Sequence, residues 1–275
     1  YFEPVALRQQ SIVVRTNAQG QAQVQVVLGN RAGAGNNTVE AYAVGYEGTA
    51  LFVASGRPKS AAMINVDSGN NQFGAVGQPL ALPFVAVVTD VGYNRLGGIP
   101  VTFTVRQGNG RINGLTTFQT TTDSDGRVLA TLTLGPLDGQ DNNVVEATFP
   151  GNTGFAAAFA ASGWVPGNPA DTIISGVVLD NANQPIPNVT MRMFRIHLGT
   201  ANNQPVQVGT PVLTDANGVF RITGAPVGFV KLMADGTTAT DAGRLFPTLE
   251  YEMVTIAGRE NTVGAPVYLP ELDPN

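Results

Sequence analysis

The chain repeats itself, and the repeat limits what it can fold into more than any other feature. Displaced by 106 positions, residues 16–50 lie over residues 122–156 without a gap. The identical pairs include Gly20/Gly126, Leu28/Leu134, Gly29/Gly135, Gly33/Gly139, Asn36/Asn142, Asn37/Asn143, Val39/Val145, Glu40/Glu146 and Ala41/Ala147. One added residue later, Ala54, Ser55 and Gly56 match Ala161, Ser162 and Gly163. The matches fall mostly on glycines, asparagines and apolar residues, the types that set turns and fill cores. Residues 57–163 therefore read as one whole unit, and residues 1–56 as the rear half of another. After residue 170 the period is lost, and residues 164–275 read as a third unit of a different kind. Proline marks both junctions, at Pro58 and at Pro166 and Pro169, which suits short, stiff linkers.

Within the units the apolar period is two. Val101, Phe103 and Val105 alternate with Thr102, Thr104 and Arg106, the pattern of a strand with one face on a core and one in water. Val128, Ala130, Leu132 and Leu134 read as one continuous strand, and Ala22, Val24, Val26 and Leu28 are their repeat counterparts. Residues 144–149 and 155–161 supply two more strands. In the third unit, residues 173–179, 189–193, 219–222 and 229–233 read as strands, and 267–269 as a closing one. Turn chemistry separates them: Asp123-Ser124-Asp125-Gly126, Asp215-Ala216-Asn217-Gly218 and Pro226-Val227-Gly228. No capped stretch with a 3.6-residue period appears. The expected fold class is all-β, with tandem Ig-like β-sandwiches in an elongated rod.

Three segments carry a family resemblance. Residues 75–163 resemble a bacterial Ig-like domain of the invasin/intimin type. The likeness rests on Gly77-Gln78-Pro79-Leu80, Val87-Val88-Thr89-Asp90, residues 99–105, the turn at 122–126 and residues 143–148. Residues 1–56 resemble the rear half of another copy. Residues 172–235 are similar to a carboxypeptidase regulatory-like domain, a transthyretin-type sandwich. That pattern lies in residues 175–180, 184–189, 214–220 and 226–228. The resemblance implies a spacer, stalk or adhesive role in a bacterial surface protein. The stretch after residue 236 departs from the regulatory-like pattern.

Composition narrows function further. Cysteine is absent, so disulfides, thiolate nucleophiles and Cys-ligated metals are excluded. The one histidine, His197, has no partner cluster in sequence, and we expect no catalytic residues, no cofactor and no enzyme activity. Fifteen basic against 20 acidic residues leave a net charge of −5, which argues against nucleic acid as a partner. No apolar run approaches the ~20 residues of a membrane span, so no membrane insertion is expected of this segment. Asp123 and Asp125 are spaced like part of a calcium loop. Their counterpart is Asn17-Ala18-Gln19-Gly20, without a carboxylate, so a tight turn is the preferred reading. Lys231, in an apolar strand, is read as a snorkelling residue rather than half of an isopeptide crosslink. Trp164 is read as packing between consecutive units.

The expected function is a non-catalytic structural segment of an extracellular or cell-surface bacterial protein: a stalk, adhesin or filament. The alternative is a carbohydrate-binding or spacer module of a larger secreted enzyme, with Tyr42, Tyr46, Tyr93 and Tyr251 as candidate sugar-stacking residues. Half a sandwich cannot bury its apolar face, so Val24, Val26, Leu28 and Val39 are expected to be exposed. The expected partners are further domains of the same, longer chain, or neighbouring copies that complete the half domain by β-augmentation.

Overall fold

A side-chain oxygen that accepts the N–H groups two and four residues ahead closes a hairpin turn without help from any core. Among the described residues this happens five times. The Oδ1 atom of Asn17 accepts from Gln19 and Gln21, that of Asp123 from Asp125 and Arg127, and that of Asp215 from Asn217 and Val219, all at 2.8–3.0 Å. Asp90 does the same with Gly92 and Asn94, and Asp180 with Ala182 and Gln184. The fourth residue of each turn has a left-handed backbone, with φ of +77° at Gly20 and +71° at Gly126 and Gly218. These turns connect an all-β chain, seen in a computed structural model that describes residues 2–3, 10–195, 205–240 and 243–272.

The middle of the chain is a two-layer sandwich. One sheet runs Thr117–Thr121, Pro100–Gln107, Gly139–Thr148, Ala157–Trp164, Gln72–Ala75, with the last pair parallel. The opposing sheet runs Arg127–Ala130, Phe84–Thr89, Met63–Ser68. The inward residues predicted by alternation meet between the layers. Phe84 stacks on Phe159 at 4.6 Å between ring centroids, Phe103 lies 6.4 Å from Phe159, and Val101, Val128, Leu132 and Val145 close around them.

The strand expected from Val128 to Leu134 is not continuous. Arg127–Ala130 pairs with Phe84–Thr89, whereas Leu132–Thr133 pairs with Arg111–Ile112. The chain changes partner at Thr131 and keeps Val128, Ala130, Leu132 and Leu134 all inward. Alternation is blind to such a switch because the buried face does not change. The strand expected from residue 155 begins at Ala157, and Phe155 is left exposed.

The third unit is a second sandwich. Ile173–Leu179 pairs with Val219–Thr223 on one side and, in parallel, with Glu260–Thr262 and Val267–Tyr268 on the other. The facing sheet runs Val206–Leu213, Thr190–Arg195, Gly228–Asp235, Thr248–Thr255. Its last strand gives a role to part of the stretch that departs from the regulatory-like pattern: it is an edge strand in unbroken register with Gly228–Asp235. Ile174, Met191, Met193, Phe220, Leu232, Phe246 and Leu269 fill the core. Arg244 pairs with the buried carboxylate of Asp180 and lies over the Phe246 ring, which ties the segment before the edge strand to the first hairpin turn.

Two of the four turn carboxylates are buried, and their hydrogen bonds set their titration. Burial opposes ionisation of Asp90. The hydrogen bonds from the Asn94 side chain and from the N–H groups of Asn94, Lys59 and Gly92 outweigh it and hold the pKa down to about 2. Burial likewise opposes ionisation of Asp180, and Arg244 with the N–H groups of Gln184 and Ala182 holds its carboxyl below the usual range. The folded value of Asp90 is below the ordinary 3.8, so its stabilisation is present above pH ~4 and is lost as pH falls toward 2. Thermal melts between pH 5 and pH 2 check this. Asp90→Asn sets an amide N–H₂ against these donors, so its melting temperature should drop at pH 7 and its acid limb should flatten. An unchanged acid limb would remove Asp90 from this account.

Candidate interaction surface

The sequence-level site candidates fall in separate places. Asp123 uses Oδ1 to hold its own turn, and neutral Asn17 does the same work in the counterpart, so the turn requires an acceptor rather than a charge. Among the described residues no group of three or more His, Asp or Glu side chains is placed to hold a metal ion. His197 lies outside the described residues. Lys231 lays its stem in the third unit's sheet and donates to Glu250 Oε2 at 2.7 Å. That bond raises its pKa against the cost of desolvation. Tyr42 and Tyr46 are exposed on one hairpin loop, and Tyr93 is exposed on the turn after Asp90. Tyr251 is half-buried in the edge strand, its hydroxyl 3.4 Å from the Tyr268 carbonyl. These four tyrosines occupy three separate elements and make no common face.

Trp164 sits where two units meet. The Arg259 guanidinium lies 4.7 Å above the Trp164 ring, and its Nη2 donates to Asp138 Oδ1 at 2.6 Å. The same carboxylate oxygen accepts the Val165 N–H at 2.6 Å, and Arg259 Nε donates to the Val165 carbonyl at 3.2 Å. Gly167 N–H reaches the Ala257 carbonyl at 2.7 Å. Here the backbones approach so closely that a Cβ on Gly258, whose φ is +69°, would lie 2.5 Å from Gly167 Cα. A cleft of about 300 Å³ opens beside this clasp, between Asn71, Phe73, Trp164 and Glu260. At the preceding junction Asn94 holds the Asn30 carbonyl at 2.7 Å and the Ala32 N–H at 2.8 Å.

The largest anomaly is at the front of the chain. Residues 10–56 contain no fully buried side chain. Gly33–Ala41 and Ala50–Gly56 form an antiparallel hairpin that is the geometric twin of Gly139–Thr148 with Ala157–Trp164. Val39 faces Phe52 as Val145 faces Phe159, and both hairpins carry the same bulge, between Gly33 and Asn37 and between Gly139 and Asn143. The side-chain bonds repeat with it. Asn36 Nδ2 donates to the Arg31 carbonyl as Asn142 donates to Leu137, and Asn36 Oδ1 accepts from Gly56 as Asn142 accepts from Gly163. Asn37 Oδ1 accepts from Gly29 as Asn143 accepts from Gly135, and Ser55 Oγ accepts from Gly35 as Ser162 accepts from Asp141.

The twins differ in what covers them. Phe159 is completely buried, whereas Phe52 is 61% exposed. Leu132 and Leu134 are buried, whereas their counterparts Val26 and Leu28 are 37% and 38% exposed. Val24 is exposed as expected, and Val39 is half-buried rather than exposed because Phe52 lies opposite it across the hairpin. Phe52 and Arg259 are absent from the sequence-level candidates. The signal for Phe52 is its alignment with Phe159 just past the one-residue gap. Arg259 has no local signal at all.

No protein-family model matches the sequence, and no curated protein matches it. The chain does align with solved structures. The minor pilin GBS52 of Streptococcus agalactiae is 13% identical, over 66% of this chain and 85% of that one, with a TM-score of 0.27. BcpA, the major pilin subunit of Bacillus cereus, is 11% identical, over 76% of this chain and 70% of that one, with a TM-score of 0.26. Domains 4–9 of the surface layer protein SbsC are 15% identical, over 82% of this chain and 35% of that one, with a TM-score of 0.32.

The chain has one tryptophan, so its emission reports on the clasp alone. Arg259→Ala removes the cation from the ring and the bonds to Asp138 and to the Val165 carbonyl. Trp164 emission should shift to the red and quench more readily with iodide, while each sandwich keeps its own melting transition. Emission identical to that of the parent chain would show that the clasp does not hold the junction in solution.

Proposed function

We infer that this chain is a non-catalytic structural segment of an extracellular bacterial surface protein, a stalk, adhesin or filament, with units at residues 1–56, 57–163 and 164–275. The observation that carries the reading is the pair of separately closed cores, around Phe159 and around Leu232, joined by the Asp138–Arg259–Trp164 clasp rather than by a slack linker. A chain that invests side chains in fixing one domain against the next is built for reach and alignment. Its surface suits that role: only 13% of residues are charged, and Thr, Asn and Gln supply most of the polarity. Among the described residues no helix is long and apolar enough to cross a membrane.

The second reading, a carbohydrate-binding or spacer module of a larger secreted enzyme, draws on one observation. Tyr42 and Tyr46 stand 76% and 81% exposed on the same loop. Immunogold labelling of intact source cells with antibody against this chain separates the two. The structural reading expects label on the cell surface or its appendages, and no glycan-array signal that Tyr42→Ala with Tyr46→Ala abolishes. Label confined to the cytoplasm overturns the first reading, and a tyrosine-dependent glycan signal favours the second.

A further inference from the structure

We propose that the hairpin of Gly33–Ala41 and Ala50–Gly56 is an acceptor, closed by a block of strands of the kind formed by residues 57–106 and joined to the chain ahead of Tyr1. The molecule contains the closed form of this hairpin as well as the open one. In the middle unit, Pro100–Gln107 pairs along the outer edge of Gly139–Thr148, with Val105 opposite Val145, Thr104 opposite Glu146 and Phe103 opposite Ala147. Phe84, from the facing sheet, stacks on Phe159. Carried onto the twin, that pairing places a strand opposite Val39, Glu40 and Ala41 and an aromatic residue on Phe52. Among the described residues Gly33–Ala41 pairs only with Ala50–Gly56, so that edge is open.

Charge marks the same edge. Glu146 takes the Arg106 guanidinium at 2.7 Å, from the strand that covers its hairpin. Glu40, its twin, is exposed and makes no ion pair among the described residues. The acceptor thus asks for three things together: an alternating strand, an apolar second layer, and a basic residue at the place of Arg106.

The source follows from the pairing of Phe2–Glu3. Phe2 pairs with Val26 as Ile112 pairs with Leu132, and Val26 is the repeat counterpart of Leu132. Phe2–Glu3 therefore occupies the place of Ile112–Asn113. In the middle unit that place is reached directly from Pro100–Gln107. A block joined ahead of Tyr1 would thus enter from the position of the strand the hairpin lacks. The proposal goes beyond the structural reading above and stands on the twin hairpins and the Phe2–Glu3 pairing, so surface labelling could fail without touching it.

Hydrogen exchange on the full 275-residue chain and on a version with residues 57–110 grafted ahead of Tyr1 tests it. In the ungrafted chain at low micromolar concentration, the amides on the open edge of Gly33–Ala41 should exchange rapidly, and Phe52→Asp should leave both melting transitions within about 1 °C of the parent. In the grafted chain the same amides should slow at least a hundredfold. Phe52→Asp should then abolish that protection, and Glu40→Arg should weaken it unless the grafted copy of Arg106 becomes Glu. Slow exchange of these amides in the ungrafted monomer, or a large loss of melting temperature on Phe52→Asp there, would show that the hairpin is already closed. Protection that rises with concentration alongside a doubled mass would assign the acceptor to a second copy. Either result overturns the proposal, as does a grafted chain whose other units fold and whose hairpin amides stay fast.

Discussion

A β-sheet with an apolar face has to be covered by a second layer, and everything in this molecule depends on that condition being met. The chain has no disulfides to substitute for a core. The stacked Phe84 and Phe159, with Phe103 beside them, therefore dominate the middle sandwich. A buried phenylalanine contributes roughly 1.5–3 kcal/mol, whereas an exposed pair such as Arg106–Glu146 contributes about 0–1 kcal/mol. The comparison explains why the open N-terminal hairpin is anomalous. It keeps the asparagine network at the bulge of its closed twin and lacks the layer that supplies most of the stabilisation.

Local and global order are separable here. The five side-chain-capped turns and the two asparagine-bonded bulges need only residues close in sequence, so they form whether or not a core is present. What they build is a correctly shaped but unfinished surface. The junction between the sandwiches is the opposite case. Arg259 is far from Asp138 and Trp164 in sequence, and the clasp exists only once both domains have folded and met. The hairpin turns come first in any hierarchy of construction, and the clasp comes last.

That division also explains how far the sequence could be read. Alternation at Val101, Phe103 and Val105 and turn chemistry at Asp123 and Asp215 are local signals, and the strands and turns stand where those signals put them. The exposure of Val24, Val26 and Leu28 was legible from the repeat, because an unmatched half leaves its inward residues without partners. The change of partner at Thr131 was hidden, since both pairings bury the same face. The edge strand Thr248–Thr255 was hidden too: its apolar residues Leu249, Tyr251 and Met253 are interleaved with Glu250 and Glu252, and no strong turn announces it. Arg259 is one of 15 basic residues, and nothing nearby in sequence distinguishes it.

The parallel pairings give the two sandwiches a property that antiparallel ones would lack. In the middle unit the early strand Gln72–Ala75 runs beside the last strand, Ala157–Trp164, in the same direction. In the third, Ile173–Leu179 runs beside Glu260–Thr262 and Val267–Tyr268 in the same direction. Polypeptide thus enters at one end of each sandwich and leaves at the other. Tension along the chain slides these neighbouring strands lengthwise in shear, so the rungs between them resist together instead of unzipping singly.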